Sequence, residues 1–180
     1  KEKPDLVSVC TPNALHKEMT MLALSYGAHV ACEKPVAFTY ADAKEMYAYA
    51  EKQNRVLFAC QVVRYNPEYQ FAKEMMDEGV LGDVYFSEFS LIRRRGVPTW
   101  GAFHRKDANG GGVLCDLGVH LIDAALWVMG GPEFVSISGT ASSHIARNEQ
   151  GVLTSLAESG APAGVFNAKK YSPEEFEVEE

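Results

Sequence analysis

The sequence predicts an α/β region followed by an α+β region, and three observations carry that prediction. Residues 1–63 alternate short apolar runs with amphipathic helical stretches. Beyond Arg64 the rhythm becomes helix, long alternating run, second apolar helix, alternating run. The change falls near Val63 to Asn66, which divides the chain into units of residues 1–63 and 64–180.

In the first unit, Leu6 to Cys10 is an apolar run of the kind found in strands covered on both faces. Asn13 is placed to cap the next helix, which has Leu15, Met19, Leu22 and Ala23 as apolar positions and Gly27 at its end. Val30 to Cys32 gives a second strand. Thr39 and Asp42 form a capping box for a helix from Ala41 to Gln53, and Val56 to Val63 reads as a third strand. This order implies right-handed crossovers and a parallel sheet, whose ligands bind beyond the carboxyl ends of the strands.

In the second unit, Asn66-Pro67 opens a helix that runs to about Glu78. Asp83 to Arg95 alternates as a long strand, and Phe134 to Thr140 reads as a strand able to pair with it. Between them a helix from about Val113 to Met129 ends at Gly130-Gly131-Pro132. The expectation is helices on one face of an antiparallel sheet. Ser142 to Lys170 has no clean period and reads as loop. Phe176 to Glu179 begins a further alternating strand, and both chain ends look cut.

Composition narrows the function classes. The 180 residues are 47% hydrophobic and 23% charged with a net charge of -7, which argues against a nucleic-acid surface. Arg93-Arg94-Arg95 and Arg105-Lys106 read either as solvated strand ends or as an anion site. Cys10, Cys32, Cys60 and Cys115 show no C-x-x-C spacing and read as reduced thiols of a cytoplasmic protein. No apolar run is expected to span a membrane, and nothing resembles a signal peptide.

Two rim segments stand out: Thr11-Pro12-Asn13 after the first strand and Glu33-Lys34-Pro35 after the second. Position makes Lys34 either a site residue or a solvated loop lysine. Asp116 and His120 lie four residues apart and project from one helix face. They could form a flank ion pair, a metal pair completed by His104 or Cys115, or an acid–base pair in which the carboxylate biases the imidazole tautomer. Cys115 points away from His120 around the helix, so no metal is expected. The run Gly110-Gly111-Gly112 fits neither phosphate-loop pattern and instead lets the backbone approach a ligand or another domain.

In combination these features become specific. Thr11-Pro12-Asn13 with His16, then Glu33-Lys34-Pro35, then Arg64-Tyr65-Asn66-Pro67, then G-G-G-x-L-x-D-x-G-x-H from Gly110 to His120 occur in that order. From about Asp5 to Pro132 the chain resembles the Gfo/Idh/MocA family of NAD(P)-dependent oxidoreductases. The resemblance implies the C-terminal half of a Rossmann-type sheet followed by part of an antiparallel-sheet substrate domain. It implies NAD or NADP as cofactor and a sugar or polyol as small-molecule substrate, with no nucleic-acid or membrane partner. It also implies a homo-oligomer built through the second domain's sheet. Lys34, Asp116 and His120 fall on the family's catalytic positions. Thr11, Pro12, Asn13, His16, Glu33, Lys34 and Arg64 fall on its cofactor-binding positions, and Trp100 and Arg105 lie in a loop turned toward substrate. A cis bond before Pro35 is compatible with that rim. The family's G-x-G-x-x-G turn and the residue choosing NAD or NADP are not in this sequence, so tight dinucleotide binding by these residues alone is not expected. The competing expectation is a sensor of dinucleotide or sugar that keeps the fold without turnover.

Overall fold

The computed structural model describes residues 2–92, 102–144 and 173–179. Three strands, β1 (Leu6–Val9), β2 (His29–Cys32) and β3 (Leu57–Ala59), form a parallel sheet in the order β1-β2-β3. The register pairs Val7 with Val30 and Val9 with Cys32, then Val30 with Leu57. Side chains alternate across a strand, so Val9, Val30, Cys32 and Leu57 share one face.

That face is covered by α1 (His16–Ser25) and α2 (Tyr40–Lys52). Leu24, Met46 and Ala50 fill the space between helices and sheet and complete the buried core. Lys17 on α1 reaches Asp42 and Glu45 on α2 at 2.5 and 2.6 Å, tying the helices along their exposed side. The start of α2 has the N-cap half of the expected capping box: Thr39 Oγ1 accepts from the Asp42 N–H at 3.1 Å and donates to Asp42 Oδ2 at 2.6 Å. Asn13 is not a cap. It sits in a 3₁₀ turn (Asn13–Leu15) before α1, and its amide points elsewhere.

The third strand is shorter than the apolar run that suggested it. After Ala59 the chain turns into a 3₁₀ segment, Val62–Tyr65, and then into α3 (Pro67–Asp77). Asn66 precedes α3 without a side-chain cap bond, while its carbonyl accepts from Tyr69 and Gln70.

The helix expected from Val113 is composite. A short α4 (Lys106–Asn109) ends at Gly110, whose φ of 84° is left-handed. A π turn covers Leu114–Gly118, followed by α5 (Val119–Val128), which packs on α3 and on the Val62–Tyr65 turn. By length and mean hydropathy (1.5), Lys106–Val128 does reach the dimensions of a membrane span, contrary to expectation. The stretch is broken at Gly110, and Asp116 and Asp123 within it are ion-paired to Lys34 after β2 and to Arg64 in the turn after β3.

The antiparallel ladder expected between Asp83–Arg95 and Phe134–Thr140 is not formed among the described residues. Neither 83–92 nor 134–140 forms a strand, and Tyr85, Ile92, Val135 and Ile137 are exposed. Alternation supplies a strand with a face but not with a neighbour, and a lone pair of strands is marginal in water. Phe176 and Val178 are buried as their alternation predicts, yet the segment bonds to loops rather than to a strand. The Glu177 N–H donates to His104 O, and Glu179 O accepts from the Val113 N–H, both at 3.0 Å.

Candidate active site at the carboxyl rim of the sheet

The Glu33-Lys34-Pro35 rim follows directly from β2, and the Lys34-Pro35 bond is cis. Glu33 accepts from the Lys34 N–H at 3.2 Å. Lys34 extends across the rim to the π turn, where Nζ lies 2.8 Å from Asp116 Oδ1 and 2.6 Å from the Asp116 carbonyl oxygen. The π turn falls where this happens, and the Val119 N–H reaches five residues back to Leu114 O. Both side chains of the pair are 17% exposed, so water screens it only partly.

His120 lies one turn beyond Asp116. Its Nδ1 is buried and has no hydrogen-bond partner. Burial, and next the positive charge of Lys34, push the imidazole below its ordinary range, against the pull of Asp116, Glu33 and Asp123. Asp116 therefore serves Lys34 through Oδ1 rather than holding His120 directly.

The Thr11-Pro12-Asn13 rim is locked from beneath by His16. The ring is fully buried, with Nδ1 2.8 Å from Pro35 O and Nε2 3.0 Å from Thr11 O. His16 thus ties the β1 and β2 rims together through a backbone carbonyl of each. Asn13 Nδ2 donates to Asn109 Oδ1 at 2.7 Å and to Asn109 O at 3.1 Å, while Asn109 Nδ2 donates to Gly111 O. Pro12 is exposed beside them. Asn109, buried and absent from the sequence-based candidates, is what couples the first rim to the glycine run.

The glycine run answers to close approach. A side chain at Gly112 would place Cβ 1.8 Å from Glu179 O, and one at Gly110 would meet the Phe38 ring at 2.7 Å. The partner is the chain's own Glu179, whose Oε1 also accepts from the Gly112 N–H. Arg105 is paired with its neighbour Asp107 at 2.5 Å in an exposed position. Trp100 and the Arg93-Arg94-Arg95 run lie outside the described residues. Arg64 spends its fork on Asp123: Nε to Oδ2 at 2.7 Å and Nη2 to Oδ1 at 2.6 Å. Among the described residues no group of histidine, cysteine and carboxylate side chains could hold a metal ion.

Residues 1–61 match the oxidoreductase family with an NAD-binding Rossmann fold, and residues 69–178 match the GFO/IDH/MocA C-terminal domain. The chain belongs to the Gfo/Idh/MocA family. D-glucoside 3-dehydrogenase of Escherichia coli K12 is 45% identical over 76% of this chain, which spans 39% of that protein. The NAD-binding protein from Listeria innocua is 35% identical, with a TM-score of 0.65 over 71% of this chain and 37% of its own. Levoglucosan dehydrogenase in complex with NADH and levoglucosan is 30% identical, with a TM-score of 0.59 over 70% and 35%. The chain thus spans less than two-fifths of each relative. Its Gfo/Idh/MocA fold is a Rossmann-type parallel sheet followed by the family's C-terminal domain.

The residues present fit a polar group of a dinucleotide bound at this rim. Buried Thr11 Oγ1 after β1 and Gln61 Oε1 after β3 have no partner, and rotation about side-chain bonds can turn either toward a polar ligand. Gln61 escaped the sequence reading because a lone amide in an apolar run carries no pattern.

Proposed function

We propose that this chain belongs to an oxidoreductase acting between a nicotinamide, NAD or NADP, and a secondary alcohol of a sugar or polyol. The observation that carries the reading is the convergence of Lys34, Asp116 and His120 at the carboxyl rim of a parallel sheet, where such folds bind ligands. The activities of the Gfo/Idh/MocA relatives, on D-glucosides and levoglucosan, support the substrate class. The family matches at residues 1–61 and 69–178 support a division at 63/64 into a cofactor unit and a substrate unit.

A bound nicotinamide supplies the hydride chemistry; the chain handles the proton. Thr11 and Gln61 would hold its polar edge. Nδ1 of His120 is closed to solvent, so the hydroxyl proton of the substrate goes to Nε2. The lowered affinity of the imidazole for protons keeps it neutral at pH 7 and ready to accept. Lys34 donates to the substrate oxygen as negative charge develops there, a charge-assisted contact strongest in the transition state. Asp116 holds Lys34 at the rim through Oδ1, which leaves Oδ2 to offset the charge His120 acquires.

The full-length protein tests this against a panel of glycosides and polyols with NAD⁺ and NADP⁺. His120→Asn and Lys34→Met are each expected to lower kcat by about 10²–10⁴-fold while NADH still binds. Near-normal turnover in both variants would refute the assignment.

A further inference from the structure

Arg64 stands in the 3₁₀ turn directly after β3, and its guanidinium grips two successive turns of α5. The fork closes on Asp123, and the same group lies over the Trp127 ring at 5.8 Å. Asp123 is three residues beyond His120 and Trp127 four beyond Asp123, so both contacts fall just past the imidazole. Four residues before it, Asp116 is held by Lys34. The helical segment is therefore anchored to two strand ends, through Lys34 after β2 and Arg64 after β3, with His120 between the anchors.

A bidentate fork does something a point charge does not. It fixes the plane and orientation of its partner, and so resists rotation of the helix about its own axis. Side chains stand about 5–6 Å from a helix axis, so a rotation of about 10° carries an imidazole about 1 Å. A 1 Å misplacement of a reacting group costs about 10²-fold in rate.

We infer that Arg64 is a positioning residue: through Asp123 and Trp127 it sets the rotation of α5, and hence the place of His120 relative to Lys34. This rests on the reading of His120 as proton acceptor. It departs from the cofactor-binding role that the family resemblance implies for Arg64.

The charges facing His120 are Lys34 and Glu33 from the β2 rim, with Asp116 and Asp123 on its own helical segment. Freeing Asp123 from Arg64 exposes the imidazole to an unpaired carboxylate; removing the carboxylate has the reverse effect. In the full-length protein, Arg64→Met should raise the His120 titration midpoint, read by NMR of the ring, and Asp123→Asn should lower it. Arg64→Lys, which keeps the charge but not the fork, should leave the midpoint in place. All three should lower kcat by at least about tenfold with the Kd for NADH unchanged within about twofold. The Arg64→Met/Asp123→Asn double variant should be no slower than the slower single variant, because both remove one contact.

Weaker NADH binding confined to the Arg64 variants would overturn the inference in favour of a cofactor ligand. Midpoints moving together, or additive losses in the double variant, would overturn the clamp. The titrations need no turnover. An absence of dehydrogenase activity in the unaltered protein would remove the proposed function, and opposite midpoint shifts would still establish the contact.

Discussion

Lys34 is the residue on which the site turns, because one ammonium group serves two ends of it. It neutralises Asp116 at 2.8 Å and adds to the burial that keeps His120 from taking up a proton early. In the unfolded chain His120 titrates near its ordinary value of 6.5, and in the fold it titrates below that value. Between the two values the unfolded state binds more protons, so stability rises with pH through that window and falls as the solution is acidified below about pH 6.5. The acid limb of kcat/KM, which reports the free enzyme's base, should therefore also lie below about pH 6.5. Lys34→Met should move it upward by removing a positive neighbour, and Asp116→Asn downward by removing a negative one. A pH–rate series on residual turnover checks both. A limb that does not move in either variant would detach His120 from the profile.

The elements were legible where a local rule decides them and obscure where a partner does. The Thr39/Asp42 cap and the three parallel strands follow from spacing and apolar runs, and the structure has them. The π turn does not follow from any local rule, and the Asp116 carbonyl within it accepts from Lys34, more than eighty residues away. The same limit applies to Asp83–Arg95 and Phe134–Thr140, whose alternation is real but whose ladder needs neighbours that the described residues do not provide. Asn13 was misread for a related reason: the cap rule is local, and the bond to Asn109 is not. The glycine run shows the rule and the partner together. Gly112→Ala would force Cβ into the Glu179 backbone at 1.8 Å, so the loop must shift. The expected cost is about 2–3 kcal/mol, seen as a lower Tm of the full-length protein together with lost turnover. Gly131→Ala should cost only about 1–2 kcal/mol, since Gly131 has a φ of 74° but open space around it. A cost at Gly112 no larger than that at Gly131 would show that the contact with Glu179 does not fix the run.

At the scale of the molecule, the sheet is covered on one side only among the described residues. α1 and α2 cover Val9, Val30, Cys32 and Leu57, while Leu6, Ser8 and Phe58 on the opposite face are exposed, Leu6 at 61% and Phe58 at 46%. Parallel sheets are covered on both faces, and an open β1 edge invites a further strand. Among the described residues, moreover, no glycine-rich turn joins a strand to a helix N-terminus, the feature that receives a pyrophosphate. On the proposed reading the rim carries groups for the nicotinamide end of a dinucleotide, while the described residues hold no seat for its phosphates. Residues 1–180 expressed by themselves should bind an apolar dye at the open face, and Phe58→Thr should reduce that signal. They should show no saturable NADH binding below about 1 mM, where the full-length protein is expected to bind in the micromolar range, a difference of about 4 kcal/mol. A fluorescence titration of NADH against both proteins reads this directly. Micromolar binding by the isolated segment would mean that Thr11, Gln61 and Lys34 hold the cofactor without a phosphate seat, and the division of labour between the two ends of the dinucleotide would have to be abandoned.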